Sequence, residues 1–269
     1  MSPFEFDQDT ALREVAPGRY AGEVSARWNV GSVPNGGYLM SIALRGVGGV
    51  FPERDPISAT AHYLRPAVPG AVEVEVEKIK EGRTVGTAQA RLVQKGVELA
   101  RVLCSVGTLD PSLGPRFVDA APPIMPPVDG ALMRPPGAPS IEVARRFDQR
   151  FDPDTVRWAT GAGPQDHAVL RAYQRFVDGR PPDVLSLPLF ADSLPPPVFA
   201  VVAAGWVPTI ELTVHFRARP VDGWLRSQLQ SRFVFGGLLE EDGEIWDQSG
   251  QLVALSRQLA AVPNRVFGG

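Results

Sequence analysis

Polar and apolar positions alternate most cleanly over Val72-Glu73-Val74-Glu75-Val76-Glu77, and this two-residue period predicts a strand with one solvated face. Further strand-like pieces follow: Arg83 to Val93, a turn at Gln94-Lys95-Gly96, then the apolar run Val97 to Leu109. The same order of signals returns later in the chain. Leu225 to Phe235 and Glu244 to Trp246 precede a turn at Gln248-Ser249-Gly250, and Leu252 to Val262 closes the series. Each series is introduced by a related segment, Thr60-Ala61-His62-Tyr63-Leu64-Arg65-Pro66 in the first and Thr213-Val214-His215-Phe216-Arg217-Ala218-Arg219-Pro220 in the second. A shared order of strands, turns and Arg-Pro steps points to an internal duplication.

Ahead of each series stands an apolar stretch that reads as a helix. One starts at Asn35-Gly36-Gly37 and runs through Tyr38-Leu39-Met40-Ser41-Ile42-Ala43-Leu44. The other is expected to start at Asp192-Ser193, with Pro195-Pro196-Pro197 in its first turn and Val198-Phe199-Ala200-Val201-Val202 beyond. Asn and Asp are good N-caps, and proline is tolerated where the helical N–H would be unpaired anyway. Neither stretch has a polar face, so each must be covered nearly all round, as by a long antiparallel sheet. Nine of the 27 prolines fall between Pro111 and Ser140, which predicts an extended linker rather than a helix or central strand. These readings divide the chain into residues 1–112, a linker at 113–145, and residues 146–269.

Composition narrows the function. With 27 Lys+Arg against 30 Asp+Glu, the chain has no basic footprint for nucleic acid or an anionic membrane. One cysteine, Cys104, and three histidines argue against a disulfide framework and against a metal centre, and no cofactor motif is present. The acidic start and the lack of a long apolar run lead to the expectation of a soluble, cytoplasmic protein.

Particular residues then point to a family. The chain resembles the TesB-like acyl-CoA thioesterases (acyl-CoA thioesterase II) of the wider thioesterase-like superfamily. The resemblance rests on Pro34-Asn35-Gly36-Gly37-Tyr38-Leu39, His62-Tyr63-Leu64-Arg65-Pro66, Ala191-Asp192-Ser193-Leu194, Thr209-Ile210-Glu211, Arg219-Pro220 and Leu252-Val253-Ala254-Leu255-Ser256-Arg257-Gln258. It implies an α+β double hotdog, two tandem domains each wrapping a long antiparallel sheet around a buried helix. It also implies hydrolysis of acyl-CoA by a water activated by Asp192, Thr209 and Gln258, and it carries the expectation of self-association. Chemically, a carboxylate takes a proton from water while a hydroxyl and an amide fix that water in line with the carbonyl. The Gly36-Gly37 step, with Tyr38, is the expected substrate-binding and oxyanion neighbourhood, since glycines allow close approach to backbone N–H groups at a helix start.

Each of these residues also has a plainer reading. Asp192 could only cap a helix, and Thr209 could only fill a strand. Gln258 needs a partner, because an unpaired amide in an apolar strand costs about 1–3 kcal/mol. His62 and His215 hold equivalent places before Arg-Pro and read as structural strand-end residues, while His167 sits in a polar turn-rich stretch and Cys104 reads as a small hydrophobe. The competing functions are a non-catalytic hotdog protein binding acyl-CoA or acyl-carrier thioesters, a hydratase or dehydratase, and a structural double hotdog. A dehydratase would want a histidine at a helix start, and neither start has one.

Overall fold

The computed structural model describes residues 4–133, 141–161, 163, 165–202, 205 and 207–262. In the first half, helix α1 (Glu5–Asp9) precedes strands β1 (Arg13–Ala16) and β2 (Arg19–Val24) and a small ribbon of β3 (Asn29–Val30) and β4 (Val33–Pro34). Helix α2 (Gly36–Val50) leads into β5 (Asp55–Tyr63), β6 (Gly70–Glu81), β7 (Gly86–Gln94) and β8 (Val97–Gly107). The second half holds β9 (Leu132–Met133), β10 (Phe147–Phe151), β11 (Ala168–Phe176), helix α3 (Leu187–Ala191) and β12 (Thr209–Phe216). It ends with β13 (Leu225–Ser231), β14 (Val234–Phe235), β15 (Leu238–Trp246) and β16 (Leu252–Ala261). Residues 108–127 carry no helix or strand, as the proline run demands. Pro135, Pro136 and Pro139 lie outside the described residues.

One antiparallel sheet crosses both halves in the order β1-β2-β6-β7-β8-β5-β12-β16-β15-β13-β11-β10-β9, with β14 paired to β15. The halves mirror each other about the β5–β12 junction: β8 and β16 flank it, then β7 and β15, then β6 and β13. At its centre Thr60 faces Thr213, Ala61 faces Leu212 and Ala59 faces Val214. The two threonines that head the repeated segments thus meet on the pseudo-twofold axis, their hydroxyls 2.8 Å apart and hydrogen-bonded. Joining the two edges there gives each half's backbone groups partners that an isolated half would leave open. Both flanking pairs carry a matching irregularity, between Pro56 and Ser58 in β5 and between Thr209 and Glu211 in β12.

Helix α2 is buried from Gly37 through Leu44, as its apolar composition requires. Its two polar residues in that stretch are accounted for locally. Ser41 donates its hydroxyl to the Gly37 carbonyl at 2.9 Å, and Tyr38 gives its hydroxyl to the Asp9 carbonyl at 2.6 Å. Tyr38 also stacks on Trp28, inside an aromatic cluster that joins Phe6 to Phe147, Phe176 and Phe190 of the second half.

The second apolar stretch departs from expectation. No helix starts at Asp192; α3 spans only Leu187–Ala191 and Asp192 closes it, with φ −117° and ψ 12°. A separate 3-10 turn covers Pro197–Ala200. Three consecutive prolines lack the N–H groups that would carry a helix from Asp192 onward. Strand bounds shift as well: the piece expected from Arg83 starts at Gly86, Leu225 to Phe235 breaks after Ser231, and the one from Glu244 starts at Leu238.

The N-terminal segment is strapped onto the second half by charge. Arg180, 6% exposed, grips Asp7 with Nε at 3.0 Å and Nη2 at 2.8 Å, and also reaches Asp183 at 2.6 Å. Arg45 of α2 adds a bond to Asp7 at 2.7 Å, and Arg146 binds Glu5. Arg180→Met should lower stability by about 1–3 kcal/mol, an amount reduced by the partial exposure of both carboxylates. Urea unfolding checks this; an unchanged midpoint would mean the strap contributes nothing.

Candidate active site

Asp192 is placed by contacts far away in sequence. Its Oδ2 accepts the Gly37 backbone N–H at 2.8 Å, and Asn35 Nδ2 donates to its backbone carbonyl at 2.7 Å. Asn35 meanwhile caps α2 in the ordinary way, its Oδ1 accepting the Tyr38 N–H at 2.9 Å. Asp192 therefore sits at the start of a helix, but of the first half's helix rather than of one in its own half. A negative group at this position meets unpaired N–H groups and the positive end of the helix dipole.

The glycines are explained by the same packing. A Cβ on Gly37 would stand 2.2 Å from the Pro188 carbonyl oxygen and 2.8 Å from the Leu189 Cα. One on Gly36 would stand 2.8 Å from the Tyr63 ring and 3.1 Å from Asp192 Oδ2. They let the backbones of α2 and α3 touch, and the Gly37 N–H is already given to Asp192. Tyr38, expected at the substrate, is fully buried in the aromatic core with its hydroxyl committed, so it holds α2 in place instead.

Next to Asp192, Ser193 is tied to the sheet. Its hydroxyl donates to Gln174 Oε1 at 2.6 Å, and Gln174 Nε2 donates to the Ser227 hydroxyl at 2.9 Å and to the Phe190 carbonyl at 3.2 Å. Gln149 Nε2 reaches the Ser193 carbonyl at 3.2 Å. This buried amide network fixes the turn that presents the Asp192 carboxyl.

Thr209 and Gln258 are brought together on neighbouring strands, the Thr209 hydroxyl donating to Gln258 Oε1 at 3.1 Å. That bond accounts for the buried amide oxygen and leaves its NH2 group as the donor. Gln258 is itself opposite Glu241 in the β15–β16 register. Glu241 and Tyr63 were not singled out as functional from sequence, yet both face this site. The Tyr63 hydroxyl and Glu241 Oε2 are buried without a hydrogen-bond partner among the described residues.

Burial pushes the Asp192 carboxyl up to about 6, against the opposing pull of the Gly37 and Gly36 N–H groups and Asn35. Burial, reinforced by the charge of Asp192, also drives Glu241 and Tyr63 well above their ordinary values. Asp192 as a whole residue is half-buried, and its carboxyl is the desolvated part. Asp192 is a carboxylate of raised basicity, beside a phenol and a second carboxyl that are both shifted towards their neutral forms.

Register identifies what the first half offers at the same places. Cys104 pairs with Ala59 and Ala88, as Gln258 pairs with Leu212 and Glu241. Cys104 is thus the counterpart of Gln258, Ala88 of Glu241, and Pro56 of Thr209. None of the three first-half residues is polar enough for hydrolytic chemistry. Cys104 is fully buried and burial pushes its thiol up to about 12, which makes it no nucleophile. His62, His167 and His215 are exposed, His62 and His215 within strands rather than at the site. No helix is long and apolar enough to cross a membrane among the described residues.

Comparison with known proteins covers nearly the whole chain. Residues 24–107 match the acyl-CoA thioesterase N-terminal domain and residues 120–262 the acyl-CoA thioesterase C-terminal domain. A thioesterase II candidate from Thermobifida fusca is 34% identical and superposes with a TM-score of 0.90, covering 98% of this chain and 99% of that one. A hotdog-fold protein of unknown function from Alicyclobacillus acidocaldarius, 20% identical, gives a TM-score of 0.84 over 97% of this chain and 98% of that one, and so shares the fold. An uncharacterized protein of Mycobacterium tuberculosis is 28% identical over 91% of each chain. The α+β double hotdog expected from sequence is the fold observed.

Proposed function

We propose, from the premise that this chain belongs to the acyl-CoA thioesterase family, that it hydrolyses acyl-CoA thioesters to a free acid and CoA at the Asp192–Thr209–Gln258 site. The observation that carries this reading is the Asp192 carboxylate seated on the Gly37 N–H and adjusted by burial to about 6. A base so adjusted is ionised at neutral pH yet more basic than an ordinary aspartate.

In this mechanism the Gln258 amide, held by Thr209, positions a water against the thioester carbonyl. Asp192 takes a proton from that water as its oxygen bonds to the carbonyl carbon. The tetrahedral oxyanion needs a donor, and the Gly37 N–H is occupied. Tyr63, protonated and without an acceptor, is the group we assign to it. Collapse breaks the C–S bond, and the proton on Asp192 passes to the departing thiolate, which restores the base. The Gly36-Gly37 step serves by holding Asp192.

Thiol release from a panel of acyl-CoAs tests the activity directly, and no release from any member would overturn it. The pH dependence follows from Asp192, whose ionised form is required. Turnover should fall as pH drops through about 6, and this acid limb should vanish in any residual activity of Asp192→Asn. A limb unchanged in that variant would assign it to another group.

A further inference from the structure

A polar stripe crosses the inner face of the second half, and part of it has no partner among the described residues. Glu241 on β15, 5% exposed, lies opposite Gln258 on β16, also 5% exposed. On its other side Gln230 of β13 faces Asp242, so the next residues in the same register are Ser231 and Glu241. Ser231 is 6% exposed and belongs to the inward set of β13 with Leu225, Ser227 and Leu229. Directly opposed residues of an antiparallel pair share a face, so Ser231, Glu241 and Gln258 form a row across three strands.

Two atoms of this row, Ser231 Oγ and Glu241 Oε2, are buried with no hydrogen-bond partner among the described residues. Among the described residues no cation is paired with Glu241: the charges acting on it are the carboxylates of Asp192 and Asp242, and Asp242 is bound to Arg257 and Arg232. Apolar clusters flank the row, Val198, Leu239 and Ala260 on one side and Leu170, Leu194 and Leu229 on the other. The fold does not need polarity here, because the first-half counterpart of Glu241 is Ala88, fully buried. An unsatisfied carboxyl that an alanine replaces in the sister half, beside the proposed reactive amide, is a feature directed at a ligand.

We propose that Glu241 and Ser231 are specificity residues that bind a hydroxyl or oxo group on the acyl chain of the thioester, two or three carbons from its carbonyl. The inference rests on the hydrolytic reading above for the identity of the ligand. Strands stand roughly 4.8 Å apart. With the thioester carbon at the Gln258 amide, the carboxyl on the adjacent strand falls beside the early carbons of the chain. The serine hydroxyl donates and accepts and the carboxyl oxygen accepts, which suits a neutral hydroxyl or oxo oxygen. A carboxylate-bearing acyl group would meet the charge of Asp192. A plain alkyl chain would leave both orphans unpaired, and sites built to hydrogen-bond a substrate oxygen reject the analogue lacking it.

The test compares matched pairs, butanoyl-CoA with 3-hydroxybutanoyl-CoA and hexanoyl-CoA with 3-hydroxyhexanoyl-CoA, by kcat/KM. The parent protein should favour the hydroxylated member at least tenfold. Glu241→Leu and Ser231→Ala should bring that ratio towards one or below it, and Glu241→Gln, which keeps an acceptor, should preserve it. Calorimetric binding of the corresponding non-hydrolysable thioether pairs reads the same preference even if no thioester is turned over, so a failed hydrolase reading and a failed specificity reading are separate results. A parent ratio near one, or variants that lower both members equally, would overturn the proposal.

Discussion

Asp192→Asn should reduce acyl-CoA turnover by about 10²–10⁴-fold, the usual worth of a general base, while the thermal midpoint at neutral pH stays level or rises. The carboxamide oxygen still accepts the Gly37 N–H, so the junction of α2 with the end of α3 is kept. The folded-state value of Asp192 lies above 3.8, its ordinary one. Such a group stabilises the fold fully at pH below that ordinary value, and the contribution is lost as pH rises through about 6. At pH 7 the ionised side chain therefore weighs against folding, and a neutral isostere removes the burden. Thiol release and a thermal melt on the same sample check both halves of the expectation. A variant with parental turnover would remove Asp192 from the mechanism.

Gly37→Ala should be the opposite case, losing fold and activity together. The added methyl would lie 2.2 Å from the Pro188 carbonyl oxygen, and backbone on both sides leaves no flexible side chain to yield. Overpacking of this kind costs about 1–3 kcal/mol. Forcing α3 outward also breaks the bond between the Gly37 N–H and Asp192. A control at Gly48, where a Cβ would meet nothing within 4 Å, should instead be neutral or stabilising, since alanine favours a helix interior. Urea midpoints of Gly37→Ala and Gly48→Ala should move apart; equal midpoints would show that the α2–α3 contact is not tight.

Local patterning carried most of the fold. The Val-Glu alternation of β6, the uninterrupted apolar run of α2 and the repeated Thr-x-His segments are each visible over a dozen residues or fewer. The alignment of Thr60 on Thr213 even anticipates the pairing at the axis. What local reading missed depends on chain segments that meet only after folding. Asp192 looked like a cap for the residues after it, whereas its partner is 155 positions earlier. Glu241 stands in the acidic run Glu240-Glu241-Asp242, and only the period-two set Leu239, Glu241, Gly243, Ile245 shows that it shares a face with apolar residues. Tyr63 belongs to the His62–Pro66 motif, but the isolation of its hydroxyl arises only from long-range packing.

Because Asp192 is seated by Gly37 and Asn35, its chemical character belongs to the docked pair of halves and to neither alone. In a truncated or half-folded chain it is an ordinary solvated aspartate with no helix start to rest on. If Asp192 is the base proposed above, reactivity acts as a certificate of completeness: a molecule that has not brought its two repeats together has nothing to hydrolyse with. A population's specific activity then counts finished molecules, and two separately produced halves would announce their reunion by the return of turnover.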